Sequence, residues 1–451
     1  MLACSTPARL AALLAHWDGD VTIVLSEPRL PLEDLCKQQS ATQLALWNTW
    51  RDAAQTDGVL PTSLRHVVIW AEPLAAGWLG ALPARARVAA VHILECQSAK
   101  CSVVAADCPA TVATLSLYSP GIARLPESTP WHQLARLTSL DLHGCASLTC
   151  LPESVADVTA LTTLALGSCV DLTSLPESMG RLTALTTLTL WGCRALVRLP
   201  DSLGGLSALQ ILDASNCRAL PSLPESLSQL AALSFFSLKG CTALTYLPQS
   251  TGQLTALTTL NLTYCDAWLR QPAFLCPLAA VTCLTLSNPA MTCLPESVSQ
   301  LAALCTLDLS YSAKLRCLPE SIGQLEALTT LDLQGCAALT CLPETLGRLT
   351  SLTTLVLRYC SALARLPSST GQLVALTTLA VYPSTSPGAQ DLLAANHQLV
   401  ELRRRLLLLA TAGRRRKSWR LPAELWRMVD AALWQSQPQR QTTQFFFYAF
   451  E

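Results

Sequence analysis

Charge is scarce in this chain. Only 14% of its 451 residues are charged, and 31 basic side chains face 31 acidic ones. A chain in such balance has no whole-molecule field to draw it to nucleic acid or an anionic membrane, and neither partner is expected. Long apolar runs are missing too: none reaches the roughly 18–20 residues that a spanning helix needs. The opening stretch MLACSTPARLAALLAHWDGD has an apolar segment that ends at His16, too short for a signal peptide. The expectation is a soluble, cytoplasmic chain, with a nuclear location as the variant. Catalytic signatures are absent as well: there is no GxxxxGK[ST] loop, no HExxH helix and no GxSxG elbow. The six histidines are scattered. His92, Cys96, Cys101 and Cys108 have metal-like spacing, yet His92 falls at an outward and Cys96 at an inward position of the pattern described next, so no tetrahedral site is expected. These absences point to a non-enzymatic chain without cofactor or metal.

What the sequence has in abundance is one phrase, Leu328 to Leu349, LTTLDLQGCAALTCLPETLGRL, repeated with small edits. Let the first leucine of LTTL be position 0, with apolar residues at positions 3 and 5. The frame then starts at Leu137, Leu161, Leu185, Leu209, Leu233, Leu257, Val281, Leu304, Leu328, Leu352 and Leu376, with degenerate copies at Leu64, Val88 and Val112. These fourteen origins keep a mean period of 24 residues, the signature of a stacked repeat architecture. Leu331 and Leu333 alternate with Asp332 and Gln334, the period of a strand with one face buried. The Leu342-Pro343 pair predicts an irregular or 3₁₀-like outer wall, because proline fixes φ and cannot donate to a ladder. Leu346 and Leu349 then turn inward on a short helical turn. Nine of the 20 cysteines (Cys96, Cys145, Cys169, Cys193, Cys217, Cys241, Cys265, Cys336, Cys360) fall at position 8, which reads as a buried ladder of reduced thiols. Cys150, Cys293, Cys317 and Cys341 precede the LP pair and are expected near the outer face.

The repeating phrase resembles the leucine-rich repeats of plant disease-resistance receptors and of the Ras-group-related intracellular repeat proteins. The resemblance covers about residues 137 to 384 well and 64 to 136 weakly. It implies an α/β solenoid: a curved leucine-rich-repeat array with a concave parallel sheet, about 14 repeats of 24 residues and helical caps. The expected domains are an N-terminal helical cap over 1–63, the repeat domain over 64–384, and a C-terminal helical cap with a basic and aromatic tail over 385–451. Within the first, Val21 to Leu25 alternates like a short strand, and Pro31 to Ala54 reads as a helix covering the first repeat. Within the last, a helix is expected from Gln390 to about Thr411, followed by RRRK at Arg414 to Lys417. A solvated helix end accounts for the basic tract. Resistance receptors carry a nucleotide-binding domain ahead of their repeats, and residues 1 to 63 hold nothing of the kind.

Identical framework letters with differing outward letters are what a binding surface needs. LTTL and LPES each occur six times, whereas positions 6 and 7 change from copy to copy. Tyrosine, tryptophan and arginine anchor protein interfaces, because they bury much area and keep a polar handle. The expected partner-binding residues on the concave face are Trp191, Lys239 and Tyr264 in one cluster, and Tyr311, Gln334, Arg358, Tyr359 and Tyr382 in another. The expected function is a recognition scaffold binding another protein, in signalling or defence. The alternative is a substrate adaptor of a ubiquitin ligase, since Leu421-Pro422-Ala423-Glu424-Leu425-Trp426 resembles the opening of an F-box motif.

Overall fold

The computed structural model describes the strand backbones Val21–Leu25, Gln43–Ala45, Leu64–Trp70 and Ala90–Leu94, and, with side chains, residues 110–125, 127, 131–266 and 278–381. The chain divides into two compact units, Met1–Leu286 and Ser287–Glu451. The first holds β1 (Val21–Leu25), β2 (Gln43–Ala45), β3 (Leu64–Trp70), β4 (Ala90–Leu94), β5 (Thr114–Tyr118), β6 (Ser139–Asp141), β7 (Thr163–Ala165), β8 (Thr187–Thr189), β9 (Ile211–Asp213), β10 (Phe235–Ser237), β11 (Thr259–Asn261) and β12 (Cys283–Thr285). The second holds β13 (Thr306–Asp308), β14 (Thr330–Asp332), β15 (Thr354–Leu357) and β16 (Thr378–Val381).

In both units the strands pair in parallel, and within each unit from β3 onward the pairing is with the neighbour one repeat away. Leu164, Leu188 and Leu212 lie side by side in the first unit, and Leu307, Leu331, Leu355 and Leu379 in the second. A register of one full repeat puts the same letter of the phrase in one column, so each column is either core or surface along its whole length. Positions 0, 3, 5 and 8 of most copies are buried: Leu185, Leu188, Leu190 and Cys193 are wholly covered, as are Leu328, Leu331, Leu333 and Cys336. Opposite the strands, nine LP pairs among the described residues each open a 3₁₀ turn, as in Glu177–Arg181 and Glu344–Arg348. Pro176 and Pro343 stand at the N-caps with φ near −69°, the value their rings impose. Leu346 and Leu349 are buried as the sequence predicts. Each unit is thus an open, curved stack of strand-and-turn repeats.

Two places depart from the expectations. Gln43–Ala45, inside the stretch read as a helix over 31–54, pairs in parallel with β1, and β1 in turn pairs with β3. A short apolar run has no period long enough to separate helix from strand, and the open edge of β1 supplies the ladder that decides it. The copy that starts at Val112 carries two extra residues around Pro130-Trp131-His132, which by repeat logic belong to a surface loop, yet Trp131 is fully buried in the 3₁₀ turn Trp131–Gln133. The other residues of 1–63, the sequence after Val381 with its LPAELW segment, and Trp268 and Gln271 lie outside the described residues. Among the described residues no helix is long and apolar enough to cross a membrane.

Candidate functional site

Much of the repeated phrase is consumed by hydrogen bonds between successive rungs. At position 1, Thr162 Oγ1 donates to the Thr138 carbonyl (2.9 Å), Thr186 to that of Thr162 (3.0 Å), and in the second unit Thr353 to that of Thr329 (2.9 Å). At position 8 the thiols do likewise: Cys169 Sγ donates to Leu142 (3.2 Å), Cys193 to Leu166 (3.1 Å) and Cys360 to Leu333 (3.2 Å). Burial pushes these thiols up, Cys193, Cys241 and Cys336 to about 12. They are protonated donors at neutral pH. On the wall, three of the glutamates that follow an LP pair reach one rung ahead: Glu153 Oε2 accepts the Ser178 N–H (2.9 Å), Glu177 Oε2 that of Ser202 (3.2 Å), and Glu344 those of Ser368 (3.2 Å) and Ser369 (3.0 Å). The Glu153 carboxyl is lowered first by the Ser178 side chain and then by the backbone N–H groups, and that of Glu344 first by the Ser369 N–H. A glutamate thereby caps a 3₁₀ turn whose own N-cap is a proline without a side-chain acceptor.

The sheet face carries a second set of constraints. At position 4, Asp141, Asp213, Asn261, Asp308 and Asp332 each accept the backbone N–H of position 6, at 2.8–3.0 Å, and so turn the chain out of the strand. Asp332 is therefore part of the fold. Its half-buried carboxyl is raised by burial and by Asp308, against the lowering pull of the Gln334 N–H and Arg358. Asn261-Leu262-Thr263, formally a glycosylation sequon, is the same turn closed on itself, with the Thr263 hydroxyl donating to Asn261 Oδ1 at 2.7 Å.

Position 7 follows, in left-handed backbone. Its N–H crosses to the position 6 carbonyl of the next rung, as from Ser168 to Trp191 (2.6 Å) and from Gly335 to Arg358 (2.7 Å). That bond is what demands a positive φ. Gly144, Gly192, Gly240 and Gly335 meet it without strain, whereas Tyr264, Tyr311 and Tyr359 hold φ of 55°, 56° and 60°. Each of these tyrosines is at least 43% exposed, so the rings face solvent at a position where glycine serves the fold better.

In the second unit the structure joins four of the expected anchors. Gln334 Nε2 donates to Tyr311 Oη (2.6 Å), the Tyr311 ring lies against Gly335 where a Cβ would strike it at 2.9 Å, and Arg358 and Tyr359 follow on the next rung. Gly335 is a member the sequence reading did not name. Its signal is the alternation Tyr311, Gly335, Tyr359 down one column. In the first unit the ring partner of Trp191 is His143, with centroids 4.9 Å apart, and the indole lies over Gly167, where any Cβ would collide with it. Lys239 and Tyr264 stand exposed on later rungs. Tyr382 lies outside the described residues.

One 24-residue phrase, a strand and a 3₁₀ turn per copy, and leucine columns in parallel register together decide the architecture. The chain is a leucine-rich-repeat protein. No protein-family model and no curated protein matches this leucine-rich-repeat chain. Solved structures similar to it include a leucine-rich-repeat protein of Leptospira interrogans, at 24% identity and a TM-score of 0.44 over 78% of this chain and 96% of that one. The leucine-rich-repeat domain of the type III effector XopL is 27% identical with a TM-score of 0.39, over 58% of this chain and 77% of that one. A TDR receptor is 22% identical with a TM-score of 0.45, over 67% of this chain and 52% of that one.

Among the described residues no group of three or more histidine, cysteine or acidic side chains is placed to hold a metal ion. Of the set His92, Cys96, Cys101 and Cys108, the three cysteines lie outside the described residues. The chemistry the described face offers is that of recognition: flat rings with polar edges, a guanidinium, and an amide already oriented by a tyrosine.

Proposed function

We propose that the sheet face of this leucine-rich-repeat protein is a recognition surface for another protein, that it works without catalysis, and that Tyr311, Gln334, Arg358 and Tyr359 are its anchors in the second unit. One observation carries the reading. Tyrosines occupy a left-handed position that the fold fills better with glycine, and their rings point to solvent; backbone strain held at an exposed residue is a mark of function. Preorganisation supports it further. Tyr311 is held by Gln334 and floored by Gly335, so less side-chain entropy is lost when a partner covers the ring. Trp191 on His143 offers a similar platform in the first unit. The ladder of hydrogen-bonded thiols supports a reducing, intracellular compartment, since its donors must carry their protons.

The test is affinity capture with the intact chain and with Tyr311→Ala, Arg358→Ala and Tyr359→Ala combined. A protein retained by the first and lost from the second, with the melting temperature of the array unchanged, supports the reading. Equal retention by both removes this cluster from it.

A further inference from the structure

The mechanism of the fold uses one cysteine column and leaves another untouched. Cys293, Cys317 and Cys341 all lie in the second unit, in three consecutive repeats, each just before an LP pair, and all three are exposed free thiols. Cys293 and Cys317 form a parallel bridge in register. The same ladder continues one rung on: the Arg316 N–H donates to the Thr292 carbonyl and the Thr340 N–H to the Arg316 carbonyl, both at 3.1 Å. In-register neighbours on parallel strands have their Cα atoms about 4.8 Å apart with side chains on the same side. That lies within the roughly 4.4–6.8 Å that a disulfide spans.

Nothing in the repeat requires cysteine there. Other copies place Arg124, Ser174, Arg198, Ser222, Tyr246 and Arg365 at the same point. Cys150 in the first unit bridges Arg124, not a second thiol. The inner column of the same unit is the opposite case: Cys336 and Cys360 are buried, hydrogen-bonded to carbonyls and held protonated, which removes both access and thiolate.

We infer that Cys293, Cys317 and Cys341 form an oxidative modification site on the outer wall, in which a hydroperoxide converts one neighbouring pair to an inter-repeat disulfide. The peroxide oxygen first takes one thiol sulfur to a sulfenic acid, releasing water or an alcohol; the adjacent thiolate then attacks that sulfur and expels a second water. Two thiols lose two protons and two electrons, and one peroxide is reduced. Cys317 is shared by both possible pairs, so each chain forms one bridge, Cys293–Cys317 or Cys317–Cys341, and keeps one thiol. Cys293 and Cys341 are two rungs apart, about 10 Å, beyond direct bridging.

The experiment uses the reduced full chain, equimolar hydrogen peroxide quenched with catalase, alkylation under denaturing conditions, and tryptic mass mapping. Linked Cys293–Cys317 or Cys317–Cys341 is expected, reversed by dithiothreitol, with Cys336 and Cys360 recovered as alkylated thiols. Cys317→Ser should lower total linkage by roughly tenfold or more, because its neighbours cannot span the gap. Cys293→Ser should move all linkage to Cys317–Cys341. Linkage undiminished in Cys317→Ser, bridges to the inner column, bridges between chains, or no bridge in the native sequence would each overturn the inference.

Discussion

At the scale of single residues, letters that look alike in sequence do opposite work. Asp332 and Gln334 both stand outward in the alternation, yet the aspartate is spent on holding the chain's exit from the strand while the glutamine amide is aimed at Tyr311. The tyrosines at position 7 differ from the glycines of their column only in what they present, since the backbone is the same in both. Tyr359→Gly should therefore relieve about 1–2 kcal/mol of left-handed strain, against about 0.5–1 kcal/mol of extra chain entropy from glycine. A net gain of about 0.5–1 kcal/mol in denaturant unfolding follows, together with weaker partner capture. A loss of stability above about 1 kcal/mol would mean the ring belongs to the packing of the array, a mechanism that typically costs this much. No alternation could reveal the positive φ, because it arises from a hydrogen bond to the next rung. The hint in sequence was the glycine at the same point of four other copies.

At the scale of the element, one repeat is a strand, a thiol, a proline and a capped turn, each tied to its neighbour by a different bond. The inner thiols give the array an alkaline weakness. Their ordinary value is 9.0, and burial raises Cys193 and Cys241 to about 12. The folded state thus favours the protonated form, so this contribution is complete below about pH 9, where the unfolded thiol also keeps its proton. It is lost as pH rises from there towards 12, because the unfolded chain ionises first and binds fewer protons. Each such thiol adds a slope of up to about 1.4 kcal/mol per pH unit in that window. Unfolding free energy measured from pH 8 to 11 should fall steeply, and Cys193→Ala with Cys241→Ala should flatten the fall; an unchanged slope would show that these thiols do not titrate on unfolding. The wall glutamates act at the other end. Glu153 and Glu344 are lowered from 4.5, so their caps hold above that value and are lost as pH falls through the depressed one. The cysteine column and the proline wall were readable because their letters recur every 24 residues. The glutamate clasp was not, since it joins one repeat to the next and no single copy contains it.

At the scale of the molecule, period and register were plain from Leu137 to Leu376, because a solenoid repeats its core letters wherever it repeats its contacts. Outside that span the same logic fails: β2 has no repeat phrase, and only the edge of β1 makes it a strand. Trp131 shows the reverse, an apparent surface insertion that the core absorbs. Only part of the candidate face was legible. Sequence picked out Trp191, Tyr311, Gln334, Arg358 and Tyr359, and three-dimensional proximity added Gly335 and the tilted ring contact of His143 with Trp191. The proposed division of labour, a framework that folds and a face that recognises, has one direct test: site-specific photo-cross-linking of the intact chain in its native cell. A photoreactive amino acid replacing Arg358 on the face, or Arg348 on the wall, samples opposite sides of neighbouring repeats. A discrete protein adduct from position 358, absent from position 348 and lost when Tyr311 and Tyr359 are changed to alanine, is the predicted result. Adducts from 348 alone, or from both positions alike and insensitive to the tyrosines, would contradict it.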